Sequence, residues 1–390
     1  MANRVVIKFG GADLSSGEKI QRAAKLIAGA PFKEIVVVVS AMGKMTDGLV
    51  EAVNQIGVAD EEWAEIISSG ERTSARIFCA ALRSQGLNAQ LFDPSFENWP
   101  IITDSNFLNA TPDLGKTTSL VRQSVMPLLG NAIPVLCGFL GKDSQGRVTT
   151  LGRGGSDTTA LLLANCISAD EVILVKETSG VLSADPKIVP GARLVNQLEI
   201  HEMLDLAHGG AKVVKPEALR YKLPNQVLRI VNFASGNLAV GGTEITGSLK
   251  LNSAEVVIQD RLVALSVVCD VNAGNIKNVL SVLRIKTVFG VSSGRKSVTI
   301  FTADDDVARV LEELHGIEGF KAVSHRGNVA MLQISDPSFI DSPGGIAKIS
   351  SALSQAGINI IEVTTSKATI NVFIEENQIK TAKEAIENVV

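Results

Sequence analysis

A chain of 390 residues is longer than one hydrophobic core usually serves, so its length predicts two or three domains. With 45% hydrophobic and 20% charged residues, the composition excludes an intrinsically disordered chain. A net charge of -4 argues against nucleic acid or an anionic membrane as partner, because both attract basic surfaces. Any polyanion that is bound must be small and held locally.

The first residues and the cysteines predict a cytoplasmic protein. The segment MANRVVIKFGG enters a strand pattern directly, without the apolar run and small-residue cleavage site of a secretory signal. No apolar window is long enough to cross a bilayer. The cysteines are scattered, with no Cys-x-x-Cys pair, so they predict buried thiols rather than a zinc site or disulfides.

Residues 1–235 alternate short apolar runs with helical patterns. Strands of this kind are buried on both faces, which favours an open, mostly parallel α/β sheet with helices on both faces. Ser15 and Glu18 have the Ser-x-x-Glu spacing of a capping box and predict the start of the first helix. The predicted strands are 4–9, 34–40, 132–139, 171–176 and 227–233.

The pattern changes from Ala234 onward. Residues 234–248 are rich in glycine, serine and threonine and predict a linker. A repeated α+β pattern follows, with strands predicted at 261–268, 297–303, 328–335, 358–365 and 369–376, and helices near 275–283, 306–314, 344–356 and the end of the chain. We therefore predict an α/β domain over 1–245 and two small α+β modules over 255–325 and 326–390, which could interleave.

A glycine-rich turn precedes an apolar helix pattern in TTLGRGGSDTTA, residues 149–160. Gly152, Gly154 and Gly155 would let the backbone approach a ligand, and the N-terminus of a helix favours an anion. Arg153 adds a planar fork of donors suited to a carboxylate or phosphate. The alternative is an ordinary strand-to-helix loop whose arginine faces water.

A second glycine turn lies beside a lysine. Lys8 ends the first predicted strand and is followed by Gly10 and Gly11, at the edge where strands of an α/β sheet present ligands. No G-x-G-x-x-G follows this strand. The nearest P-loop candidate, LCGFLGKD, lacks the first glycine and has Asp143 where Ser or Thr would bind magnesium. A phosphate site here would therefore belong to a different fold.

Six motifs in a fixed order give the chain a family resemblance. With them the chain resembles the aspartokinases of the amino-acid-kinase family, which carry paired C-terminal ACT modules. The resemblance spans essentially the whole chain and implies the amino-acid-kinase fold followed by two ferredoxin-like ACT modules. The motifs are KFGG at 8–11, SGER at 69–72, GFLG at 138–141, TTLGRGGSDTTA at 149–160, ADPKIVPGA at 184–192 and GAKV at 210–213.

The resemblance implies phosphoryl transfer from ATP to the side-chain carboxylate of L-aspartate, the first step of lysine, threonine and methionine biosynthesis. Such a carboxylate is ionised at neutral pH and needs no general base. The barrier lies in bringing an anion to a polyphosphate, so cations and N–H donors should dominate the site. Two alternatives stay open: a kinase of another acidic amino acid, and an amino-acid sensor with little turnover.

The resemblance also implies roles for residues in the matching motifs. The expected catalytic residues are Lys8, Gly10, Gly11, Asp157 and Lys212. The expected aspartate-binding residues are Ser40, Thr46, Glu71, Phe139, Arg153 and Ser156, with Glu71 on the ammonium and Arg153 on a carboxylate. The expected nucleotide-binding residues are Lys8, Gly11, Lys176, Glu177, Gly180, Ser183, Asp185, Pro186, Lys187 and Lys212. Magnesium is expected to arrive with ATP, without a dedicated protein site.

Some residues depart from the family pattern. Ala12 and Asp13 stand where the family usually has two hydroxyl residues after KFGG, and Asp13 adds negative charge near the phosphate path. Lys176 and Glu177 replace a common Thr-Asp pair before the nucleotide loop. These changes cluster on the nucleotide side, so they bear on ATP affinity and turnover more than on aspartate recognition.

The segment IDSPGGIAKISSALSQAGINI, residues 340–360, matches the ACT pattern. The first module is less typical, and RIKTVFGV, residues 284–291, looks shortened before its next strand. The resemblance implies feedback inhibition by lysine or threonine. It also implies a homodimer or larger oligomer formed through the C-terminal modules. The alternative is that these modules dimerise the protein and bind no effector. The expected effector residues are Asn272, Gly274, Pro343, Gly344, Asn359 and Ile360.

Overall fold

The chain divides into two units, residues 1–251 and 252–390, each with its own main sheet. The computed structural model describes residues 3–211, 213–249, 255–283, 287–336, 339, 343–366 and 369–390.

The first unit is built on an eight-stranded sheet in the order β3-β4-β2-β1-β7-β9-β10-β8. The six strands from β3 to β9 are all parallel, and β10 runs antiparallel to β9. A separate antiparallel hairpin is formed by β5 and β6. The strands are β1 Arg4–Phe9, β2 Glu34–Val39, β3 Ala89–Phe92, β4 Ile133–Cys137, β5 Leu140–Lys142, β6 Val148–Thr150, β7 Glu171–Lys176, β8 Gln197–Glu199, β9 Val227–Asn232 and β10 Thr243–Thr246.

Helices fill the connections of this unit. In β1, β2 and β7 successive residues are buried, so both faces of the sheet are covered, as the apolar runs predict. In the described parts of the chain, no helix is long and apolar enough to cross a membrane. The helices are α1 Gly17–Ala28, α2 Met45–Ile56, α3 Asp60–Ser84, α4 Leu114–Ser124, α5 Gly155–Cys166 and α6 Ile200–His208.

The predicted mostly parallel α/β sheet is confirmed, and all five predicted strands are present within one or two residues of their expected ends. The predicted capping box is wrong. Ser16, not Ser15, is the N-cap of α1, and its Oγ accepts the Lys19 N–H at 3.3 Å. Ser15 instead donates its hydroxyl to the Ala12 carbonyl at 3.0 Å. The residue three positions after the true N-cap is Lys19 rather than Glu18, so the Ser-x-x-Glu spacing does not fall on the start of the helix.

The second unit has one antiparallel sheet in the order β12-β13-β11-β14-β16-β15. Its strands are β11 Glu255–Val268, β12 Val288–Ser293, β13 Ser297–Ala303, β14 Ala322–Ser335, β15 Glu362–Ser366 and β16 Thr369–Glu375. Its helices are α7 Ala273–Leu283, α8 Val307–His315, α9 Gly345–Gln355 and α10 Ile379–Glu387.

The two central strands serve both halves of this sheet. Residues 262–268 of β11 pair with β13, whereas residues 255–259 extend along β14. Residues 329–335 of β14 in turn pair with β16. Strands β11 and β14 therefore each contribute residues to both halves of the sheet. The module borders predicted from sequence, 255–325 and 326–390, stay a prediction.

Several element predictions need correction in this unit. Strands β11 and β14 each begin six residues before their predicted starts at 261 and 328. Strand β15 begins at Glu362 rather than at residue 358, because Ile358 follows the turn after α9 and packs on the core of the second half. Residues 288–291 of the stretch that looked shortened belong to an additional edge strand, β12, which pairs with β13 through a register shift between Val288 and Gly290; residues 284–286 lie outside the described residues. A shifted register weakens strict alternation, which explains why the sequence pattern was inconclusive.

The sheet of the second unit is buried on both faces. Along β11, Val263 and Leu265 belong to the core that includes α7 and α8, while Leu262 and Ala264 belong to a separate core cluster. This alternation follows from the pleat of a strand, which sends successive side chains to opposite faces. A stacked aromatic pair, Phe301 and Phe373, with ring centroids 3.9 Å apart, lies at the centre of that separate cluster.

Candidate active site

Three charged side chains meet at the carboxyl ends of two neighbouring strands. Lys8 lies near the end of β1, Lys176 ends the parallel strand β7, and Asp157 lies in the first turn of α5. The Lys8 Nζ is 2.8 Å from Asp157 Oδ1, and the Lys176 Nζ is 3.0 Å from Asp157 Oδ2. The carboxylate is thus shared by two ammonium groups.

Burial and charge act in opposite directions on this cluster. Burial alone would raise the pKa of Asp157, but the ammonium groups of Lys8 and Lys176 outweigh it and hold the pKa at about 2. Burial lowers the pKa of Lys8, and the nearby Lys176 lowers it further, whereas Asp157 raises it. Asp157 is therefore ionised throughout the physiological range and stabilises both lysines.

The turn after β1 is locked against the turn after β2. The Gly43 N–H donates to the Gly11 carbonyl at 2.8 Å. A Cβ at Gly11 would lie 2.7 Å from the Ala41 carbonyl oxygen and 3.0 Å from that of Gly43, so a side chain does not fit there. The KFGG motif therefore has a packing reason for its second glycine.

Asp13 follows this turn and is almost completely buried. One carboxylate oxygen accepts the Gly10 N–H at 3.2 Å, and the other has no hydrogen-bond partner among the described residues. Burial raises the pKa of Asp13 to about 6, while the Gly10 N–H and the charge of Lys8 lower it. The departure from the family pattern thus places an ionisable carboxyl group near Lys8.

Glu71 lies in the middle of α3 with only 4% of its surface exposed. Its Oε1 accepts the Ala41 N–H at 3.2 Å, and Oε2 has no partner among the described residues. Burial raises the pKa of Glu71 to about 7, against the lowering effect of its hydrogen bonds and of Lys8. A buried carboxylate with an unused oxygen can accept a cationic group of a ligand.

The SGER motif brings α3 close to the loop after β2. A Cβ at Gly70 would lie 3.0 Å from the Ala41 Cβ and 3.2 Å from the Thr46 Oγ1, so the glycine permits this approach. The Thr46 hydroxyl is buried there without a hydrogen-bond partner in the described structure. Ser40, at the end of β2, donates its N–H to the Phe9 carbonyl at 3.2 Å.

The glycine-rich turn opens α5 with two left-handed residues, Gly152 at φ 68° and Gly154 at φ 73°. Gly154 is the N-cap, and no side chain caps the helix. Arg153 is exposed, and none of the described residues holds it by a hydrogen bond or ion pair. The arginine is therefore available to a ligand at a helix N-terminus.

Phe139 has a strained backbone with φ 71°, which is unusual for an aromatic residue. Its N–H donates to the Thr159 Oγ1 at 3.0 Å, and its carbonyl accepts the Leu151 N–H at 2.8 Å. A Cβ on Gly155 would lie 2.9 Å from the Phe139 ring, and a Cβ on the neighbouring Gly138 would lie 2.7 Å from Ser156. These contacts fix Phe139 and Ser156 beside the start of α5.

The loop after β7 is held to the sheet at Gly180. This residue has φ 140° and packs on Thr243, whose Oγ1 accepts the Val181 N–H at 2.8 Å. Asp185 accepts the Lys187 N–H at 2.9 Å within a turn. Further along, Ser183 accepts the Arg193 N–H through Oγ at 3.0 Å, and Glu177, Pro186 and Lys187 are exposed. Lys212 lies outside the described residues.

Several groups that support the site are not among the site residues expected from the sequence. The backbone N–H of Ala41 holds Glu71, and the Thr159 hydroxyl holds the Phe139 backbone. Lys215 donates to the Leu151 carbonyl at 3.0 Å and packs its stem against Gly154. A backbone donor has no residue-type preference, and Lys215 lies outside the six ordered motifs, so only the structure identifies these contacts.

In the second unit, two expected effector residues border a cavity of about 580 Å³. Its lining includes Phe339, Pro343, Gly344, Ile346, Thr365 and Ile370. Asn359 and Ile360 lie in the segment between α9 and β15. In the other half, the Asn272 Oδ1 accepts the Asn275 N–H at 2.9 Å near the start of α7, and Gly274 lies within that helix.

A lysine–aspartate–lysine cluster lies at the strand ends, next to glycine turns and a helix N-terminus, and this arrangement suits an anionic ligand such as a phosphate. The amino acid kinase family model matches residues 3–232, and the ACT domain model matches residues 324–388. The chain belongs to the amino acid kinase family.

The curated relatives of the chain are aspartokinases. The aspartokinase of Geobacillus stearothermophilus is 30% identical over 98% of this chain and 96% of its own, and that of Mycolicibacterium smegmatis is 30% identical over 98% and 94%. The crystal structure of aspartate kinase from Synechocystis superposes with a TM-score of 0.77 at 25% identity, over 99% of this chain and 69% of that one. The resemblance inferred from the ordered motifs is confirmed.

Proposed function

We propose that this protein is an aspartate kinase, which phosphorylates the side-chain carboxylate of L-aspartate with ATP and gives 4-phospho-L-aspartate and ADP. The observation that supports this proposal is a pair of sites of opposite charge near the same edge of the sheet. The Lys8 and Asp157 pair provides a cationic phosphoryl site, and Glu71 provides a buried carboxylate with an unused oxygen. Together they suit an acceptor that is an amino acid.

The transfer itself needs no general base. A carboxylate oxygen of the substrate forms a bond to the γ-phosphorus, the bond from that phosphorus to the bridging oxygen breaks, and ADP leaves with the electron pair. Lys8 neutralises charge on the moving phosphoryl group, and the N-terminus of α5 adds its dipole. Asp157 holds the ammonium in place through the 2.8 Å contact.

Aspartate recognition falls to residues around the glycine turns. Glu71 accepts the substrate ammonium, and Arg153 clamps a carboxylate with its planar fork. Ser40, Thr46 and Ser156 supply hydrogen bonds, and Phe139 forms a wall of the pocket. The buried Thr46 hydroxyl and Glu71 Oε2, both without partners in the described structure, support this arrangement because a ligand would satisfy them.

ATP binds along the loop from Lys176 to Lys187 in this proposal, with Gly180 shaping the loop and Lys212 at the phosphates. Within the described residues, no group of three or more His, Cys, Asp or Glu side chains is arranged to hold a metal ion. We expect magnesium to arrive with the nucleotide and to be held mainly by phosphate oxygens and water. When bound, it neutralises phosphate charge.

The second unit is proposed to regulate the enzyme. The 580 Å³ cavity at Pro343 and Gly344 precedes α9, whose N-terminus favours the carboxylate of a feedback amino acid, lysine or threonine. The edge strands β12 and β15 offer surfaces through which a homodimer or larger assembly can form. We further propose that the enzyme works in the cytoplasm.

The direct test is ADP release with ATP, magnesium and L-aspartate, with hydroxylamine added to trap the acyl phosphate. L-glutamate and a reaction without amino acid serve as controls. Aspartate-dependent hydroxamate is the expected result, whereas ATP binding without hydroxamate would favour the sensor. Preference for glutamate would favour a kinase of another acidic amino acid.

A variant separates recognition from chemistry. Arg153→Lys should raise the KM for aspartate more than it lowers kcat, because one ammonium cannot reproduce the bidentate fork. An unchanged KM would remove Arg153 from the aspartate site.

A further inference from the structure

The two oxygens of Asp157 are held by two different lysines. Lys8 contacts Oδ1 at 2.8 Å, and Lys176 contacts Oδ2 at 3.0 Å and Oδ1 at 3.3 Å. Orienting Lys8 requires only one of these contacts. The second lysine therefore needs its own explanation.

The two lysines differ in exposure. The side chain of Lys8 is 7% exposed and that of Asp157 is 6% exposed, whereas 21% of the Lys176 side chain is accessible. An ammonium group has three N–H donors, and two carboxylate contacts leave at least one of them unused. Lys176 is thus anchored on the buried cluster and still open to an incoming group.

The ion pairs of the cluster are uneven. Two ammonium groups contact the single carboxylate of Asp157, whereas Asp13 and Glu71 affect Lys8 without forming an ion pair with it in the described structure. Lys176 also lowers the pKa of Lys8, which shows that the two cations repel each other. A fold gains nothing from that repulsion, but an anion placed between the ammonium groups would relieve it.

We propose that Lys176 is a further catalytic lysine, in addition to Lys8 and Lys212, whose ammonium contacts the transferring phosphoryl group while Asp157 holds it beside Lys8. This inference rests on the proposed kinase function. The new phosphorus–oxygen bond forms to the substrate carboxylate as the bond to the bridging oxygen breaks and ADP takes the electron pair. No proton moves in this step.

The test uses Lys176→Met, which keeps the length of the side chain and removes its charge, and Lys176→Arg, which keeps the charge. Lys19→Met is the matched control, because Lys19 contacts the Ala12 carbonyl at 2.7 Å and Glu177 at 3.8 Å but not Asp157. For each full-length variant we would measure kcat, the KM for aspartate, and the affinities for magnesium complexes of ADP and of a non-hydrolysable ATP analogue.

We expect Lys176→Met to lower kcat by about 100-fold or more, as for the loss of a preorganised electrostatic contact. Affinity for the ATP analogue should fall about tenfold and that for ADP by less than about twofold, since only the analogue carries the third phosphate. Lys176→Arg should recover part of both losses, and Lys19→Met should stay within about threefold of the parent.

A second comparison distinguishes direct contact from an effect through Lys8. If Lys176 contacts the phosphoryl group itself, the double variant Lys8→Met with Lys176→Met should bind the ATP analogue more weakly than Lys8→Met alone. No additional loss would show that Lys176 only positions Lys8 and would overturn the proposal. Equal losses for ADP and the analogue, or an unchanged kcat, would overturn it as well.

These binding measurements need no phosphoryl acceptor, so they test the role of Lys176 separately from the proposed aspartate kinase function. If the parent protein yields no aspartate hydroxamate and Lys176→Met selectively loses affinity for the ATP analogue, the proposed substrate is refuted and the phosphoryl contact is supported. If hydroxamate forms and Lys176→Met has no effect, the proposed substrate is supported and the phosphoryl contact is refuted.

Discussion

Replacing Glu71 by glutamine should make the first unit more stable at neutral and basic pH and weaken aspartate binding. Burial raises the pKa of Glu71 from 4.5 to about 7, so ionising it costs the folded chain roughly 3 kcal/mol more than the unfolded chain. Glutamine keeps the shape and an acceptor for the Ala41 N–H but cannot ionise. The substitution therefore removes this cost.

The sign follows from proton binding. Between pH 4.5 and about 7 the folded protein retains a proton on Glu71 that the unfolded chain has lost. The free energy of unfolding therefore falls as pH rises through this window, and Glu71→Gln should not show this fall. The variant should match the parent near pH 4.5 and exceed it by roughly 3 kcal/mol above pH 7.

Denaturant unfolding without ligands, from pH 4.5 to 9, measures this difference. Both tryptophans of the chain, Trp63 and Trp99, lie in the first unit, so their fluorescence reports on the unit that contains Glu71. Parallel pH profiles for parent and variant would refute the assignment of a buried, titrating carboxyl group. In the parent, the KM for aspartate should fall as pH rises from 6 to 8, because the substrate ammonium needs the ionised form, and the variant should lose this dependence.

Other substitutions test the packing of both units. Asp157→Asn should lower kcat at least about 100-fold in the hydroxamate assay and destabilise the protein by about 3 kcal/mol in denaturant unfolding, because two ammonium groups lose their shared carboxylate. Gly11→Ala should reduce activity, because its Cβ would lie 2.7 Å from a carbonyl oxygen, whereas Gly48→Ala, with open space around its Cβ in α2, should keep activity and add up to about 1 kcal/mol. Equal activities in these two glycine variants would contradict the role of the tight turn. Phe373→Ala should cost the second unit about 3–5 kcal/mol, measured by far-ultraviolet circular dichroism, because it removes a buried ring stacked at 3.9 Å on its partner; a loss below 1 kcal/mol would contradict that packing.

The candidate site was predictable from sequence as a set of motifs but not as a set of contacts. The KFGG and TTLGRGGSDTTA motifs identify Lys8 and Asp157, and their order along the chain indicates the family. Nothing in either motif shows that Asp157 holds Lys176 as well. That contact depends on β1 and β7 lying side by side, which is a property of the whole sheet.

Departures from the family pattern acquire a physical meaning only in the folded protein. From sequence, Asp13 is an extra negative charge near the phosphate path. In the structure its burial raises the pKa to about 6, and the Gly10 N–H binds one of its oxygens. Burial cannot be inferred from a residue type, because the same aspartate on a surface would keep an ordinary pKa.

The sequence by itself determined five of the ten strands that the structure describes in the first unit, the presence of an α+β pattern in the last part of the chain, and the family. Apolar runs and glycine turns are local signals, so they predict local structure. Only the tertiary structure decided which distant groups meet, such as the Ala41 N–H with Glu71, and how β11 and β14 are shared between two halves of one sheet. Such pairings depend on topology and burial, which are set by the packing of the whole chain and by no single segment.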